Sequence, residues 1–325
     1  MPNSLKPASK GRISGLVAVS ALALLIPGGA FAVSASSQAA ESPASEPATE
    51  APAASAAVAA NGVAADHERG PRLVAHRGAS GHAPENTLAA ADAAHDLRTE
   101  WVETDVQQTA DGELVLMHDT TLNRTTNVEE VFPDRAPWNV SDFTAEEIAQ
   151  LDAGSWFGPE FAGEPVPTLN DYLDLLAENG QSLLLEIKSP ALYPGIEEDI
   201  LAELREEGWL RGRPGDRLVL QSFDADSMRT VHELAPQVIT GFLGTPALAD
   251  VPEYAEFVDQ INPRFRDLTA EYVAGIQAVR GAHGRPLEVY SWTINDPATA
   301  ATVAGLGVDG IITDFPDRVR EGLGD

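Results

Sequence analysis

The sequence predicts a closed (β/α)8 barrel of the TIM type, with a small inserted subdomain between its second and third strands. Three observations predict it. Short β-rich runs alternate with amphipathic stretches of helical spacing after residue 70, which is the pattern of parallel βαβ units. Eight such runs in about 255 residues suit a closed barrel, with a doubly wound open sheet as the structural alternative. The stretch 119–168 breaks the alternation, holds Trp138, Trp156 and Phe157 among several Gly and Pro, and is too long for a plain connection.

The elements follow in order. The strand runs are Leu73–His76, Trp101–Gln107, Leu183–Lys188, Leu218–Ser222, Ile239–Leu243, Phe257–Ile261, Leu287–Thr293 and Gly310–Thr313. The helical stretches are Asn86–Leu97, Leu169–Asn179, Ile196–Leu210, Asp226–Leu234, Ala270–Arg280 and Pro297–Leu306. In the third of these, Ile200, Leu201 and Leu204 recur at helical spacing. Asp111-Gly112 reads as a tight turn that folds the run ending at His118 back beside the second strand.

The chain before residue 70 is read separately. Lys6, Lys10 and Arg12 precede an apolar run from Ile13 to Ile26, and Ala30-Phe31-Ala32 follows. This is the order of a cleaved secretory signal over residues 1–32, and the apolar run is short for a stable anchor helix. Residues 33–69 are rich in Ala, Ser, Pro and Glu and read as a disordered spacer. The barrel proper is residues 70–325, and export places it outside the cell.

Charge and cysteine content set limits. The chain has 325 residues, no cysteine, 21 Lys and Arg against 50 Asp and Glu, and a net charge of −29. Four of those bases and five of those acids precede residue 70, which leaves 17 and 45 in the barrel, or −28. Such a surface argues against nucleic acid and anionic lipid as partners. Without disulfides an exported domain must rely on its core.

The polar residues at strand ends carry the chemistry. Residues two apart in a strand share a face, so Glu103 pairs with Asp105, and Glu186 with Lys188. Both pairs come late in their strands, where barrel active sites lie. His76 ends the first strand, with Arg77 next, and His118 ends the hairpin run. Three convergent carboxylates either hold a hard cation, Ca²⁺ or Mg²⁺ rather than zinc, or pair with Arg77 and Lys188 as an ion-pair network. Spacing alone leaves both open. Two histidines at such a mouth suit proton transfer, and Arg77 and Lys188 suit an anionic group such as phosphate. Gly78 and Gly81 permit close backbone approach. Asn86 reads as a helix N-cap. Trp292 suits an apolar wall, and Gln221 and Asp314 end further strands. His82, His95, His232 and His283 carry no comparable signal.

The segments AHRGASGHAPENTLAA, VETDVQQTADGELVLMHDTTLNRTT, LLLEIK, LQSF, YSWTIN and VDGIITDFP together resemble the glycerophosphodiester phosphodiesterase family, of the secreted bacterial type. The resemblance spans residues 73–316. It implies a barrel that hydrolyses glycerophosphodiesters to sn-glycerol 3-phosphate and an alcohol. It further implies that Glu103, Asp105 and Glu186 hold one divalent cation, that His76 and His118 are the acid–base pair, and that Arg77 and Lys188 grip phosphate. The inserted segment would match the family's small subdomain over the mouth. Other substrates on the same barrel would be a lysophospholipid, cleaved in the manner of a lysophospholipase D, or a glycerophosphate polymer of the teichoic-acid type. A non-catalytic phosphate-ester binding protein would not need two proton-transferring histidines.

Overall fold

The computed structural model describes residues 70–213 and 215–324. The signal peptide and spacer expected over residues 1–69 lie outside the described residues.

In chain order the elements are β1 (Arg72–Ala75), α1 (Leu88–Asp96), β2 (Trp101–Gln108), β3 (Leu114–Leu116), α2 (Val128–Val131), α3 (Ala145–Ile148), α4 (Leu169–Asn179), β4 (Ser182–Ile187), α5 (Ile196–Glu206), β5 (Leu218–Ser222), α6 (Ala225–Leu234), β6 (Ile239–Leu243), α7 (Val251–Tyr254), β7 (Gln260–Asn262), α8 (Ala270–Gln277), β8 (Glu288–Ser291), α9 (Pro297–Ala304), β9 (Gly310–Thr313) and α10 (Pro316–Leu323). The sheet runs β1-β9-β8-β7-β6-β5-β4-β2, and a further β1–β2 pairing closes it. All eight pairings around the ring are parallel. β3 lies outside the ring, antiparallel to the end of β2, with Val106 opposite Leu116.

The two-residue period sorts the side chains. Val74, Trp101, Leu184, Val219, Ile239, Tyr290 and Ile312 form one buried cluster on the lumen face. Their sequence neighbours Ala75, Val102, Leu183, Leu185 and Leu220 belong to the larger cluster shared with the helices. Strands of a parallel barrel are covered on both faces, which is why they read as continuous apolar runs. Helix starts are set locally. Thr168 and Asp171 make a capping box on α4, and Gly180 closes that helix with φ +68°.

Two expectations are corrected. Phe257 and Val258 do not begin the sixth strand. Their amides donate to Tyr254 O at 3.0 and 2.9 Å, so they belong to the turn that follows α7, and β7 starts at Gln260. Their apolarity reports burial and not extended backbone. Asn86 is not an N-cap either. Thr87 caps α1, its side chain accepting from Ala90 N, while Asn86 sits in the left-handed region at φ +57°. The short helices α7 and α10 were not anticipated. Residues 119–168 include α2, α3 and a hydrophobic cluster separate from the barrel's, built on Leu122, Val128, Val140, Phe143, Ile148 and Leu151.

The acidic composition has a local cost on α5. Partial burial, and then repulsion from Glu113, Glu207, Glu206 and Asp171, pushes the Glu203 carboxyl up to about 7. A carboxyl raised on folding stabilises the fold only while protonated, and that contribution is lost as pH rises through about 7. Glu203→Gln is therefore expected to raise the melting temperature above pH 7, with the gain shrinking to nothing near pH 4.5, the ordinary value of this group. Calorimetric melts of both proteins across that range would check it.

Candidate active site

β2 and β4 pair so that Asp105 lies beside Glu186. Glu103, two residues earlier on β2, points into the same lumen, and all three are buried. One oxygen from each falls within 4.8 Å of the others. Burial raises each carboxyl first. Repulsion from Asp105 and Glu186 then pushes Glu103 further, well above the carboxylate range. Repulsion from Asp105 likewise holds Glu186 up at about 8. Asp105 goes the other way, because Arg77 and Lys188 outweigh its burial.

The cations reach the cluster from two strand ends. Arg77, directly after β1, stands at φ +54°, in a sparsely populated region of the kind found at functional sites. Its amide donates to Glu103 Oε2 at 2.9 Å, and its Nη1 donates to Glu85 Oε1 at 2.8 Å. Arg77 Nε lies 3.2 Å from Asp105 Oδ2 but makes no directed hydrogen bond. Lys188, directly after β4, lies 2.7 Å from Glu186 Oε1 and 3.7 Å from Asp105 Oδ1. Asn86 buttresses the cluster, donating to Asp105 Oδ2 at 2.8 Å and accepting from Thr104 Oγ1 at 2.8 Å.

Both alternatives for the carboxylates thus meet in one place. An ion-pair network exists, but its two cations face three carboxylates, and Arg77 is shared with Glu85. Asp105 Oδ1 is buried with no hydrogen-bond partner among the described residues. An all-oxygen donor set with an orphaned acceptor and surplus negative charge fits a hard divalent cation.

The two histidines are held by the same device. His76 Nδ1 lies 2.6 Å from Asp314 Oδ1. Ser80 Oγ donates to that oxygen at 2.9 Å and Asn295 Nδ2 to Oδ2 at 2.6 Å. His118 Nδ1 lies 2.7 Å from Asp119 Oδ1. Burial raises Asp119, yet bonds from Arg124 and His118 outweigh it and hold it down at about 2. Burial likewise raises Asp314, but the bond from His76 and those from Asn295 and Ser80 keep it low. Ionised carboxylates only accept, so each ring keeps a proton on Nδ1, which leaves Nε2 to accept a proton or, on a doubly protonated ring, to give one. Burial also lowers the His118 pKa, and Arg77 and Lys188 lower it further against Asp105 and Asp119.

Arg124, from the segment after β3, ties the two sides together. Its Nε donates to Asp119 at 2.6 Å, and its Nη1 and Nη2 donate to Glu85 at 2.9 and 2.7 Å. A continuous chain therefore runs His118–Asp119–Arg124–Glu85–Arg77–Asp105.

His76, Arg77, Glu103, His118, Glu186 and Lys188 line one side of a cavity of about 260 Å³. Gln221, Phe223, Leu243, Arg264, Trp292 and Ile312 line the rest. Of the site residues named from sequence, all but Asp105 and Asp314 line this cavity; Asp105 bonds Arg77 and Asn86, and Asp314 bonds His76. Gly78 and Gly81 serve packing instead of a ligand. A Cβ on Gly78 would lie 2.5 Å from Ala90, and one on Gly81 would lie 2.2 Å from the Phe315 ring. Sequence reasoning missed Glu85, Asp119, Arg124, Phe223, Arg264 and Asn295, and ranked Asp314 too low. Glu85, Asp119 and Arg124 lie inside the segments that carried the resemblance, and that was the one available signal.

Comparison with known proteins agrees with this geometry. The profile of the "Glycerophosphoryl diester phosphodiesterase family" matches residues 76–318. A glycerophosphodiester phosphodiesterase of Caldanaerobacter subterraneus is 36% identical over 250 residues, covering 76% of this chain and 95% of that protein. One from Bacillus subtilis is 34% identical over 271 residues, covering 77% of this chain and 86% of that protein. An Oleispira antarctica phosphodiesterase, solved in complex with the product sn-glycerol-3-phosphate, superposes with a TM-score of 0.68 at 28% identity, covering 80% of this chain and 99% of that one.

Raised carboxyls give the cation test a proton readout. Burial and repulsion push the Glu186 carboxyl up to about 8 and raise that of Glu103 well above its ordinary value, so both favour the protonated form. Calcium or magnesium favours the ionised form, so binding should release protons. Titration calorimetry in buffers of different ionisation enthalpy measures this release. Binding with no dependence on the buffer would contradict the charge surplus.

Proposed function

We propose that this chain, which belongs to the glycerophosphoryl diester phosphodiesterase family and is a phosphodiesterase, releases sn-glycerol 3-phosphate and an alcohol from small glycerophosphodiesters by two-histidine acid–base catalysis. One observation carries the reading. Two histidines, each backed by an ionised aspartate, face a single cavity that also holds two cations and a surplus of buried carboxylates. The product bound to the Oleispira phosphodiesterase supports the reading that phosphate stays on glycerol and the other alcohol departs.

Glu103, Asp105 and Glu186 would hold one divalent cation, Ca²⁺ or Mg²⁺. When bound it supplies positive charge against the phosphoryl oxygens. Arg77 and Lys188 hold the same phosphate and orient it within the cavity. His118, neutral at working pH, accepts through Nε2 the proton of the attacking hydroxyl, whether water or the substrate's 2-hydroxyl. His76, doubly protonated at the start of the step and held by Asp314 at Nδ1, gives its Nε2 proton to the leaving alkoxide and is left neutral. Asp119 and Asp314 keep each Nδ1–H in place and stabilise each ring while it is charged. Trp292, fixed by its Nε1–H donating to Asn262 O at 2.8 Å, offers an apolar wall to the carbon skeleton.

The segment 119–168 would act as a small subdomain over the mouth, since it delivers Asp119 and Arg124 to the site. Export follows from the amino-terminal sequence. It places the barrel, residues 70–325 with a net charge of −28, outside the cell, acting on soluble esters. Among the described residues no helix is long and apolar enough to cross a membrane.

The direct test is release of glycerol 3-phosphate from glycerophosphocholine, with calcium, magnesium or EDTA present. Ion-dependent release is expected, and release indifferent to EDTA would rule out the cation. His76→Ala and His118→Ala should each lower kcat by about 10²–10⁴-fold. Asp314→Asn and Asp119→Asn should cost less, about 10–100-fold, because they act through the histidines. A base must be unprotonated, and the His118 pKa is lowered from 6.5. The acid limb of kcat/KM against pH should therefore fall below 6.5.

A further inference from the structure

We infer that Gln107 is a positioning residue for the His118–Asp119 pair, and that Tyr193 fixes Gln107 in turn. The inference rests on the two-histidine reading above. Glu103, Asp105 and Gln107 share one face of β2. The first two belong to the carboxylate cluster. Gln107 is wholly buried and is not among the residues that line the main cavity, so it acts there only through its neighbours. What it touches is the backbone on both sides of His118. Its Nε2 donates to Met117 O and to Asp119 O, each at 2.7 Å. Its Oε1 accepts from the Tyr193 hydroxyl at 2.9 Å.

This clamp starts where the strand ladder stops. β3 ends at Leu116, and the Met117 amide still donates to Asp105 O at 3.0 Å. Beyond it, neither His118 nor Asp119 makes a backbone–backbone hydrogen bond among the described residues. The sheet itself therefore holds nothing past Met117, and Gln107 supplies the missing bonds from its side chain. A primary amide suits the task, because its two N–H groups serve two carbonyls while its oxygen still accepts. The network also fixes which way the amide faces. Turned over, its oxygen would meet two carbonyl oxygens and leave both without a donor.

Tyr193 holds the far side. It lies on the connection after β4 and is buried. Burial, with the charge of Asp142, pushes its hydroxyl up to about 12, so it keeps the proton that it donates. Lys188 opens the same connection, its amide donating to Val106 O at 3.1 Å. Gln107 thus ties the segment that carries His118 to the one that carries a phosphate-holding lysine. Asp119 sets how the His118 ring is turned, and Gln107 sets where it stands. A shift of about 1 Å in such a group costs about 10²-fold in rate.

The experiment is a double-mutant cycle on the full-length protein with its divalent cation, read as kcat and KM for glycerophosphocholine. Gln107→Met keeps the length of the side chain and removes its hydrogen bonds. It should lower kcat about 10–100-fold and leave KM within about twofold, because Arg77, Lys188 and the carboxylates stay in place. Tyr193→Phe removes one hydroxyl and should lower kcat about three- to tenfold. In a His118→Ala background each substitution should change kcat by less than about twofold, since residues that act through one group are not additive. A merely structural role would repeat its full factor there. The full factor in that background overturns the inference, and so does a Gln107→Met protein with wild-type kcat. Should Gln107→Met fail to fold, Tyr193→Phe carries the same cycle alone, with the same two outcomes. His118→Ala with undiminished kcat overturns the acid–base reading instead, and the clamp's role with it.

Discussion

Three buried carboxylates on two adjacent strands, faced by only two fixed cations, are the constraint on which the rest of the site depends. The β2–β4 register sets Asp105 against Glu186, and the strand period adds Glu103 to the same lumen. Burying one unpaired charge costs several kcal/mol even after relaxation. The local structure answers that cost. Arg77 accepts a left-handed backbone at the end of β1, Lys188 closes β4, and Asn86 leaves its helix to bond Asp105. Burial and mutual repulsion still hold Glu103 and Glu186 above the ordinary carboxylate range, and that residual imbalance makes the site receptive to a divalent cation and an anionic substrate together.

The barrel divides this work along its axis. The lower lumen is filled by Val74, Trp101, Leu184, Val219, Ile239, Tyr290 and Ile312, which seal one end. The upper lumen is polar because the same alternating positions, two residues further on, carry Glu103, Glu186 and Gln221. This buried apolar layer lies two residues before the carboxylates on the same strands, Trp101 before Glu103 and Leu184 before Glu186. Loops above can then vary without loss of the register.

The ring of ion pairs through Arg124 and Glu85 gives the connection after β3 a part in the site. Arg124 holds Asp119 behind His118 and shares Glu85 with Arg77. Displacing any member would leave a partly buried charge without its partner, so the members are placed together. On the opposite side, Asp314 performs the same service for His76 with neutral donors, Ser80 and Asn295.

Local chemistry made much of this legible before any coordinates. Parallel strands covered on both faces must be apolar, so the eight strands stood out in the sequence, as did the polar residues that interrupt their ends. His76, Arg77, Glu103, His118, Glu186 and Lys188 could be named for that reason. Apolarity also misled: Phe257 and Val258 are buried at a helix end, and a buried turn reads like a strand. Asn86 fits a cap by residue type, and only the approach of Asp105 shows its other use. What the tertiary structure alone decided is pairing across distance. His76 and Asp314 are 238 residues apart, and Arg124 and Glu85 are 39 apart, so no local period can report their contact. Residue type and spacing determined which groups could do chemistry. Closure of the ring determined which of them touch, because only the closed sheet brings its first and last strands side by side.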